Sequence, residues 1–369
     1  MNILMVSARY YPFMGGTETH IYEVARRMAA HPADKPGQRV TVLTTDPKGD
    51  LPREETVNGV TIRRVRAYPK DRDYYFAPAL YGIITRGGWD VVHVQGYHTF
   101  VAPLAMFAAW RARLPYVITF HSGGHSSASR HAARGLQRRL LRPLIRRAAA
   151  RIGVSEFEAR LFAESVGLPL DQFDVIPNGA RLPELDAPAT ARPDVKLIVS
   201  PGRLERYKGH QRAIQALPHV LAVHPDARLR IVGSGPYEPE LRALAQQTGV
   251  ESHIEIGSIP PSDRQGMAAL LAQSSLVVLF SDYEAHPVAV MEALSMRRPV
   301  LVAETSGLAE LAARGLVRSV PLASSETDIA RAIIQQLDDP HLAADIALPT
   351  WEGCADALLA VYRRVTQNI

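Results

Sequence analysis

The chain has 369 residues, which is enough for two domains of ordinary size but too short for a long array of repeats. Hydrophobic residues make up 47% of the sequence and charged residues 21%, and no stretch approaches the roughly 18 apolar residues that a membrane-spanning helix needs. The net charge of +5 suits an anionic ligand without indicating nucleic-acid binding. Cys354 is the single cysteine, so no disulfide can form within the chain and a reducing, cytoplasmic location is favoured.

The N-terminal half is predicted to consist of short strands that alternate with helices. Asn2–Val6 is apolar but too short for a secretory leader, and it indicates a buried first strand. Further strands are predicted at residues 40–43, 90–94 and 116–120, with helices near residues 17–30 and 101–111. Asn58-Gly59 lies between two alternating runs and predicts a hairpin over residues 54–66. The remaining alternation is typical of βαβ units around a parallel sheet.

A break in this pattern predicts the domain boundary. Residues 181–195 contain three prolines and no periodicity, so residues 184–195 are predicted to be a linker between domains at 1–183 and 196–349. Strands of the second domain are predicted near residues 197–200, 228–232, 254–256, 276–280 and 300–302. A last helix, over residues 350–369, could pack back on the N-terminal domain. Open parallel sheets bind ligands beyond the carboxyl ends of their strands, which is where the candidate site residues fall.

Two carboxylates follow the strand predicted at residues 276–280. Glu284 lies in the loop, and Glu292 lies on the following helix, for which Pro287 suits the first turn. Carboxylates accept hydrogen bonds from sugar hydroxyls, and the start of a helix can receive phosphates. On spacing alone, two solvated glutamates are the better interpretation, because pairs eight residues apart are common.

The loop after the first strand of the second domain contains two cations beside glycines. Arg203 can form paired hydrogen bonds with phosphate oxygens, and Lys208 can add a point charge. A solvated basic loop is the alternative. The position between a strand and a helix favours phosphate binding.

Two further glycine loops follow predicted strands, and they allow close approach of a ligand or form plain turns. Gly15-Gly16 precedes the first helix, and Gly233-Ser234-Gly235 follows the strand at residues 228–232. Glu238 stands where the third glycine of a dinucleotide fingerprint would be, so a nicotinamide oxidoreductase is not favoured.

Several histidines also follow strands. Among them, His121 is best placed to face a ligand, because it directly follows the strand predicted at residues 116–120. For any single histidine a structural hydrogen bond is the better prior interpretation. No pair has H-E-x-x-H spacing, and no metal site is predicted.

Taken together, six segments resemble glycosyltransferase family 4, a large retaining family with the GT-B fold. In chain order they are residues 11–20 (YPFMGGTETH), 176–179 (IPNG), 202–209 with the glycines, Arg203 and Lys208, 232–236 (VGSGP), the pair Glu284 and Glu292 as E-x7-E, and 307–310 (GLAE). Each motif alone is weak, but six in this order over nearly the whole chain are specific. The resemblance implies an α/β protein of the GT-B class, with two Rossmann-like domains that face each other across a cleft.

The resemblance also implies a reaction. The chain would be a retaining, metal-independent glycosyltransferase that moves a sugar from a nucleotide diphosphate sugar, its co-substrate, to a hydroxylated acceptor. The acceptor would be a glycan, a small molecule or a lipid-linked sugar, with no separate cofactor and no nucleic acid. Glu284 would contact the donor sugar and Glu292 the ribose, while Arg203 and Lys208 would stabilise the leaving diphosphate. His121 would lie beside the transferred sugar.

Other positions follow from the same resemblance. The remaining donor contacts would be Gly15, Gly16, Asn178, Gly202, Gly233, Gly235, His286, Pro287 and Val288. Acceptor contacts are expected from the N-terminal domain, with Tyr97, His98 and His125 as candidates. The chain has Ala285 and His286 where glycine and phenylalanine are frequent in the family, so the identity of the donor sugar is left open.

Two other functions are compatible with the same sequence motifs. A non-catalytic protein that binds a sugar nucleotide could share the fold, because a fold does not determine a function. An epimerase acting on a nucleotide sugar could share the phosphate-binding loop. The joint presence of both glutamates, Arg203 and Lys208 favours the transferase.

The most basic segment of the sequence raises the question of a membrane. Residues 130–151 contain eight arginines and no acidic residue, and Leu136, Leu140, Leu144 and Ala148 recur every four residues. Such a helix can lie on the anionic inner face of a membrane. The favoured interpretation is that the apolar stripe packs on the core and the arginines face water. Pro143 also argues against one continuous interfacial helix.

Overall fold

The computed structural model describes residues 1–13, 15–30, 38–69, 75–122, 128–180, 182–183, 195–260, 263–343 and 347–367, with the side chains of residues 128–134 left out. The chain forms two compact α/β units. The first contains Met1–Ser122, Ser129–Gly179 and Pro349–Ile369, and the second contains Ala180–Leu348. Most of the predicted linker, residues 184–194, lies outside the described residues. Of the helices in the described ranges, none has both the length and the apolarity that crossing a bilayer requires.

The first unit is built on an eight-stranded sheet. Its strands are β1 (Asn2–Ser7), β2 (Arg39–Thr45), β3 (Glu54–Val57), β4 (Val60–Val65), β5 (Val91–Gln95), β6 (Tyr116–Thr119), β7 (Ala150–Gly153) and β8 (Asp174–Val175). They lie in the order β3-β4-β2-β1-β5-β6-β7-β8, and only β3 is antiparallel to its neighbour. The central strands are buried on both faces, as their continuous apolar runs predict.

The second unit is built on a six-stranded sheet in which every pair of neighbours is parallel. Its strands are β9 (Leu197–Pro201), β10 (Arg228–Val232), β11 (Ile254–Gly257), β12 (Leu276–Leu279), β13 (Val300–Glu304) and β14 (Arg318–Pro321). They lie in the order β11-β10-β9-β12-β13-β14. The order reverses direction between β9 and β12, which is the position where open α/β sheets bind ligands.

Twelve α-helices connect and cover these strands within the described residues. They are α1 (Gly16–Ala29), α2 (Ala79–Arg86), α3 (Val101–Arg111), α4 (Ala128–Arg147), α5 (Glu156–Val166), α6 (His210–Leu221), α7 (Glu238–Gln247), α8 (Arg264–Gln273), α9 (Val288–Ser295), α10 (Ser306–Ala313), α11 (Glu326–Asp338) and α12 (Trp351–Gln367). Helix α12 belongs to the first unit and packs on α1, where Arg27 Nε lies 2.9 Å from Glu352 Oε1.

The predicted hairpin is confirmed. Strands β3 and β4 pair antiparallel, with Val57 opposite Val60. The two turn residues have positive φ, 50° at Asn58 and 78° at Gly59, which is the geometry that an Asn-Gly turn adopts between two strands.

The prediction of one helix over residues 130–151 is wrong at its C-terminal end. Helix α4 runs through Pro143 and ends at Arg147, and β7 begins at Ala150. Arg151 therefore belongs to a strand and is 8% exposed. Its guanidinium donates hydrogen bonds to the carbonyl oxygens of Ile145 (2.9 Å) and Ala148 (2.8 Å), so it satisfies the open end of α4 instead of facing water.

Candidate active site

The loops that follow β9 and β10 contact each other through their backbones. Gly202 N donates to Val232 O (2.9 Å), and Leu204 N donates to Ser234 O (3.0 Å). A Cβ atom on Gly233 would overlap the carbonyl oxygen of Gly202, and one on Gly235 would overlap that of Leu204. Glycine is therefore required at both positions to close these two loops together, whatever else they bind.

Lys208 and Glu284 are brought together from loops after β9 and β12. Lys208 Nζ lies 2.6 Å from Glu284 Oε1, and the two side chains are only 16% and 13% exposed. The Ser281 hydroxyl donates to the same carboxylate oxygen (2.8 Å). Burial alone would lower the pKa of Lys208, but the Glu284 carboxylate outweighs it and the pKa is raised, so the ammonium stays charged. The pair is a fixed point charge beside a carboxylate that can still accept hydrogen bonds.

Arg203 lies in the same loop but is much more accessible. Its side chain is 63% exposed and lies 2.9 Å from Glu205 Oε1, and its Nη2 donates to the Tyr207 hydroxyl (2.8 Å). Both contacts hold the guanidinium near the start of α6. The two predicted phosphate ligands therefore differ in accessibility, since the Lys208 side chain is partly buried whereas that of Arg203 is largely exposed.

His210 supports this loop from below and was not predicted from the sequence. It is 1% exposed, its Nε2–H donates to Arg203 O (3.2 Å), and the Ser200 hydroxyl donates to its Nδ1 (2.8 Å). Burial lowers its pKa to about 4, so the ring is neutral at pH 7 and this tautomer is kept. The sequence feature that could have drawn attention to His210 is its position directly after Lys208-Gly209.

Glu292 lies on α9 and is nearly buried, at 6% exposure. It forms an ion pair with Arg264 of α8. Glu292 lines a cavity of about 300 Å³ together with Gly202, Arg203 and Gly233. Four predicted residues, from the loops after β9 and β10 and from α9, thus share one cavity, whereas Glu284 and Lys208 pair beside it.

The start of α9 differs slightly from the prediction. Helix α9 begins at Val288, and Pro287 precedes it in an extended conformation with φ −77° and ψ 109°, so the proline caps the helix instead of forming its first turn. His286 is half-buried and Ala285 is 6% exposed. A Cβ on Gly307 would overlap the carbonyl oxygen of Ala285. This contact explains the glycine of the segment at residues 307–310 by packing.

In the first unit, His121 is held by a chain of buried polar groups. Its Nε2–H donates to Gln95 Oε1 (2.8 Å), and Gln95 Nε2 donates to His93 Nδ1 (3.2 Å). The Tyr362 hydroxyl of α12 donates to the same His93 nitrogen, and His93 Nε2–H donates to Thr119 Oγ1 (2.8 Å). Burial lowers the pKa of His93 to about 3 and that of His121 well below its usual value. Both rings are neutral, and Nδ1 of His121 is left as an acceptor.

His20 and Asn178 form a second buried pair next to this chain. His20 is 1% exposed, and its Nδ1–H donates to Asn178 Oδ1 (2.8 Å). Its ring lies edge-on to His121, with centroids 4.6 Å apart, and burial lowers its pKa to about 4. Asn178 is itself 5% exposed, so its visible role is to orient His20. His20 was not predicted, although it ends the segment at residues 11–20.

Glu158 is a further residue that the sequence did not reveal. It is fully buried, and its carboxylate accepts hydrogen bonds from the backbone N–H (2.5 Å) and the hydroxyl (2.5 Å) of Ser122 and from Val154 N (2.8 Å). Burial raises its pKa despite these bonds. The carboxylate fixes the chain directly after His121, which has φ 47°.

The other predicted residues of the first unit have different surroundings. Gly15 caps α1, where a Cβ would lie 2.7 Å from Glu18 Oε2, while nothing that the structure describes lies within 4 Å of a Cβ on Gly16. Tyr97 is 2% exposed and packs on Phe162, so its ring belongs to the core. His98 is exposed and donates to the His121 carbonyl (3.2 Å). His125 lies outside the described residues.

Possible metal ligands are not clustered in the part of the chain that the structure describes. No three His, Cys, Asp or Glu side chains come together there as a metal site would require. The sequence has one D-x-D triplet, Asp71-Arg72-Asp73, and it falls outside the described residues.

Comparison with known proteins gives consistent matches. Residues 14–182 match the family described as Glycosyltransferase Family 4, and residues 183–347 match the family described as Glycosyl transferases group 1. The GDP-mannose:cellobiosyl-diphosphopolyprenol alpha-mannosyltransferase of Xanthomonas oryzae pv. oryzae is 30% identical, over 80% of this chain and 76% of that protein. The D-inositol 3-phosphate glycosyltransferase of Nocardiopsis dassonvillei is 27% identical, over 95% of this chain and 90% of that protein. Sucrose-phosphate synthase from Thermosynechococcus elongatus has a TM-score of 0.78 at 22% identity, with 100% of both chains covered.

Proposed function

Because this chain belongs to the glycosyltransferases of family 4 and group 1, we propose that it transfers a sugar from a nucleotide diphosphate sugar to a hydroxylated acceptor, with retention and without a metal ion. The predicted GT-B class is confirmed, since both units are Rossmann-like and the solved neighbours share this fold. The observation that carries the finer proposal is the partly buried Lys208–Glu284 pair beside the cavity lined by Arg203 and Glu292.

The proposed donor site assigns a part of the nucleotide sugar to each side chain. The 300 Å³ cavity is proposed to take the nucleoside, with the carboxylate of Glu292 accepting hydrogen bonds from the ribose hydroxyls. Arg203 at its rim and Lys208 beside it would contact the diphosphate. The second oxygen of Glu284 would accept a hydrogen bond from a hydroxyl of the sugar. The relative from Xanthomonas is named for GDP-mannose, so guanine nucleotides are included among the donors to be tested.

In the proposed reaction the acceptor oxygen attacks the anomeric carbon from the same face as that from which the diphosphate leaves. The bond between the anomeric carbon and the phosphate oxygen breaks while the acceptor oxygen bonds to the same carbon on the same face. The acceptor proton passes to an oxygen of the departing diphosphate. Charge grows on that diphosphate in the transition state, and the positive charges of Lys208 and Arg203 are placed to stabilise it.

His121 is proposed to contact the transferred sugar. The hydrogen bond from its Nε2–H to Gln95 leaves Nδ1 as an acceptor for a sugar hydroxyl. Gly16, with open space beside it, is proposed to let a substrate approach the backbone of α1. The enzyme is proposed to work in the cytoplasm, where nucleotide sugars are the expected donors.

The decisive experiment separates transfer from mere binding. The protein is first screened by thermal shift against nucleoside diphosphates and nucleotide sugars, because a ligand that binds only the folded state raises the melting temperature. The stabilising donor is then incubated with glycan, inositol phosphate and polyprenol diphosphate acceptors, and the anomeric configuration of the product is determined by NMR. Transfer with retention supports the proposal. Binding without product would indicate a sugar-nucleotide-binding protein, and a free epimerised sugar without acceptor would indicate an epimerase.

A further inference from the structure

The basic charge of the chain is concentrated in one segment of the first unit. Residues 75–155 contain eleven arginines and a single acidic residue, Asp90, whereas the whole chain has 42 basic and 37 acidic residues. The rest of the chain is therefore net negative. Helices α2, α3 and α4 come from this segment and pack on one hydrophobic core. Nine of the eleven arginines belong to these three helices.

Three aromatic rings form a row on the outside of α2 and α3. Tyr81, Phe107 and Trp110 are 36%, 42% and 43% exposed. The ring centroids of Tyr81 and Phe107 are 6.3 Å apart, and those of Phe107 and Trp110 are 5.7 Å apart. The guanidinium of Arg147 lies 5.5 Å from the Trp110 ring. A contiguous exposed aromatic row with a basic rim is typical of a surface that binds a partner or a membrane.

An arginine-lined cavity of about 510 Å³ opens beside Trp110. Its lining includes Arg113, Arg147 and Arg364, together with Tyr116. The cavity is lined by three guanidinium groups, and one of them, Arg364, is paired with Asp174 (3.1 Å and 2.5 Å). Guanidinium groups bind phosphate oxygens through paired hydrogen bonds. The cavity is suited to a phosphate that carries an apolar substituent toward the aromatic row.

Helix α4, which ends at Arg147, also exposes two leucines. Leu136 and Leu140 are 61% and 69% exposed, whereas Leu141 and Ile145 pack in the core. The expectation that the stripe of Leu136, Leu140, Leu144 and Ala148 packs inward is therefore wrong for its first two members. Exposed leucines between arginines would gain nothing from a soluble anion, but they would gain by entering the headgroup region of a bilayer.

We propose that the aromatic–arginine surface, formed by Tyr81, Phe107, Trp110, Arg113, Arg147 and Arg364, docks on a bilayer that contains anionic phospholipid. The headgroup phosphate binds in the arginine cavity, and the aromatic rings lie at the level of the headgroups, where tryptophan and tyrosine are enriched. This surface lies at the end of α3 and α4 and at the amino ends of β6 and β7, whereas His121 follows the carboxyl end of β6. It is thus a site distinct from the proposed active site and does not depend on the donor chemistry.

The three tryptophans provide a direct readout of this contact. Trp89 and Trp351 are 6% and 3% exposed, and Trp110 is the accessible one. The full-length protein is mixed with vesicles of phosphatidylcholine that contain about one-third anionic phosphatidylglycerol, or with vesicles of phosphatidylcholine alone. The phosphatidylcholine is also replaced by its brominated form. We expect a blue shift and bromine quenching of the emission only with the anionic vesicles, and loss of both on raising the salt concentration.

Variants then identify the surface. The double substitution Arg113→Gln and Arg147→Gln is expected to weaken partitioning about thirtyfold, because each basic residue at an anionic membrane contributes roughly fivefold. Trp110→Phe keeps an aromatic ring and should retain binding while it removes the bromine quenching. The charge-matched control is Arg242→Gln with Arg331→Gln on the second unit, where both arginines are exposed, and it should bind as the unchanged protein does. Thermal unfolding of each variant checks that it is folded.

Three outcomes would overturn the proposal. The first is no binding to anionic vesicles even at low salt. The second is binding that survives Arg113→Gln and Arg147→Gln but is lost with Arg138→Gln and Arg139→Gln, which would place the contact on the middle of α4 alone. The third is an equal spectral shift with millimolar inorganic phosphate or glycerol phosphate, which would make the cavity a site for a soluble anion.

Discussion

The loops of the second unit and the polar chain of the first unit were not equally visible in the sequence. Arg203, Lys208, Glu284 and Glu292 stand in short segments directly after strands, so their charge and their position could be recognised together. The groups that hold His121 come from β5, β6 and α12 and are separated by up to 269 positions. A site whose residues are close in sequence can be predicted from the sequence. A site assembled from different strands and helices can be identified only when the pairing of the strands is known.

The largest loss of activity is expected when the positive charge of Lys208, beside the proposed diphosphate site, is removed. Lys208→Ala should lower kcat by about 10²–10³-fold, equivalent to about 2.7–4 kcal/mol, because it removes a partly buried positive charge from a position where negative charge develops. Steady-state kinetics with the stabilising donor measure this effect, and the melting temperature of the variant shows whether it folds. Arg203→Ala should cost less, since its side chain is 63% exposed and screened by solvent.

The matched control for Lys208 is Lys196→Ala. Lys196 lies just before β9 in the same unit, and its Nζ donates to the Leu337 carbonyl (3.3 Å) away from the cavity. It should leave kcat unchanged. A folded Lys208→Ala variant with the kcat of the unchanged protein would mean that the Lys208–Glu284 pair is structural only.

Prediction from sequence succeeded where a pattern is local and failed where it is shared between distant segments. The hairpin at Asn58-Gly59 and the central strands follow from turn chemistry and apolar runs. Arg151 looked like part of a basic helix, but after Arg147 the chain turns and Arg151 enters β7, where its polar group is satisfied by helix carbonyls. Asn178 and Tyr97 were predicted to contact substrates, and those contacts stay predictions. Their burial could not be anticipated, because a residue type does not reveal which way its side chain points.

Breaking the chain of hydrogen bonds that holds His121 should lower kcat less than removing the charge of Lys208. Gln95→Leu removes the acceptor for His121 Nε2–H and a donor to His93, so the ring loses its fixed orientation. We expect kcat to fall about tenfold, corresponding to roughly 1.4 kcal/mol, with little change in KM for the donor. Tyr362 is two hydrogen bonds further along the chain from His121 than Gln95 is, so Tyr362→Phe should reduce kcat less.

A control and a contrary result define this test. Gln172→Leu makes the same chemical change at an exposed position of the first unit and should have no effect on kcat. If Gln95→Leu lowers the melting temperature but leaves kcat and its pH dependence unchanged, the chain from Tyr362 to His121 only stabilises the fold.

Acid should destabilise both units through their buried histidines. Burial lowers the pKa of His20 to about 4 and that of His210 to about 4, below the unfolded value of about 6.5. Between these values the unfolded chain binds more protons than the folded one, so the free energy of unfolding rises with pH. This stabilisation is present above about pH 6.5 and is lost as the pH falls toward 4. Urea denaturation at several pH values measures it, and His210→Asn should flatten the slope, whereas a slope unchanged in both His20→Asn and His210→Asn would contradict the assignment.

The smallest expected effect is that of removing divalent metal. In the proposed mechanism Lys208 and Arg203 supply the positive charge that a metal supplies elsewhere, so EDTA should leave the rate of transfer unchanged. The sequence does contain Asp71-Arg72-Asp73, and a carboxylate pair of this kind could hold a divalent ion on a diphosphate. The experiment therefore compares the unchanged protein with Asp71→Asn and Asp73→Asn, each with EDTA and with added magnesium or manganese. Equal rates throughout would assign the charge compensation to the loop after β9. Loss of activity with EDTA, its recovery with metal, and insensitivity of the double variant to metal would transfer that role to the Asp71–Asp73 triplet.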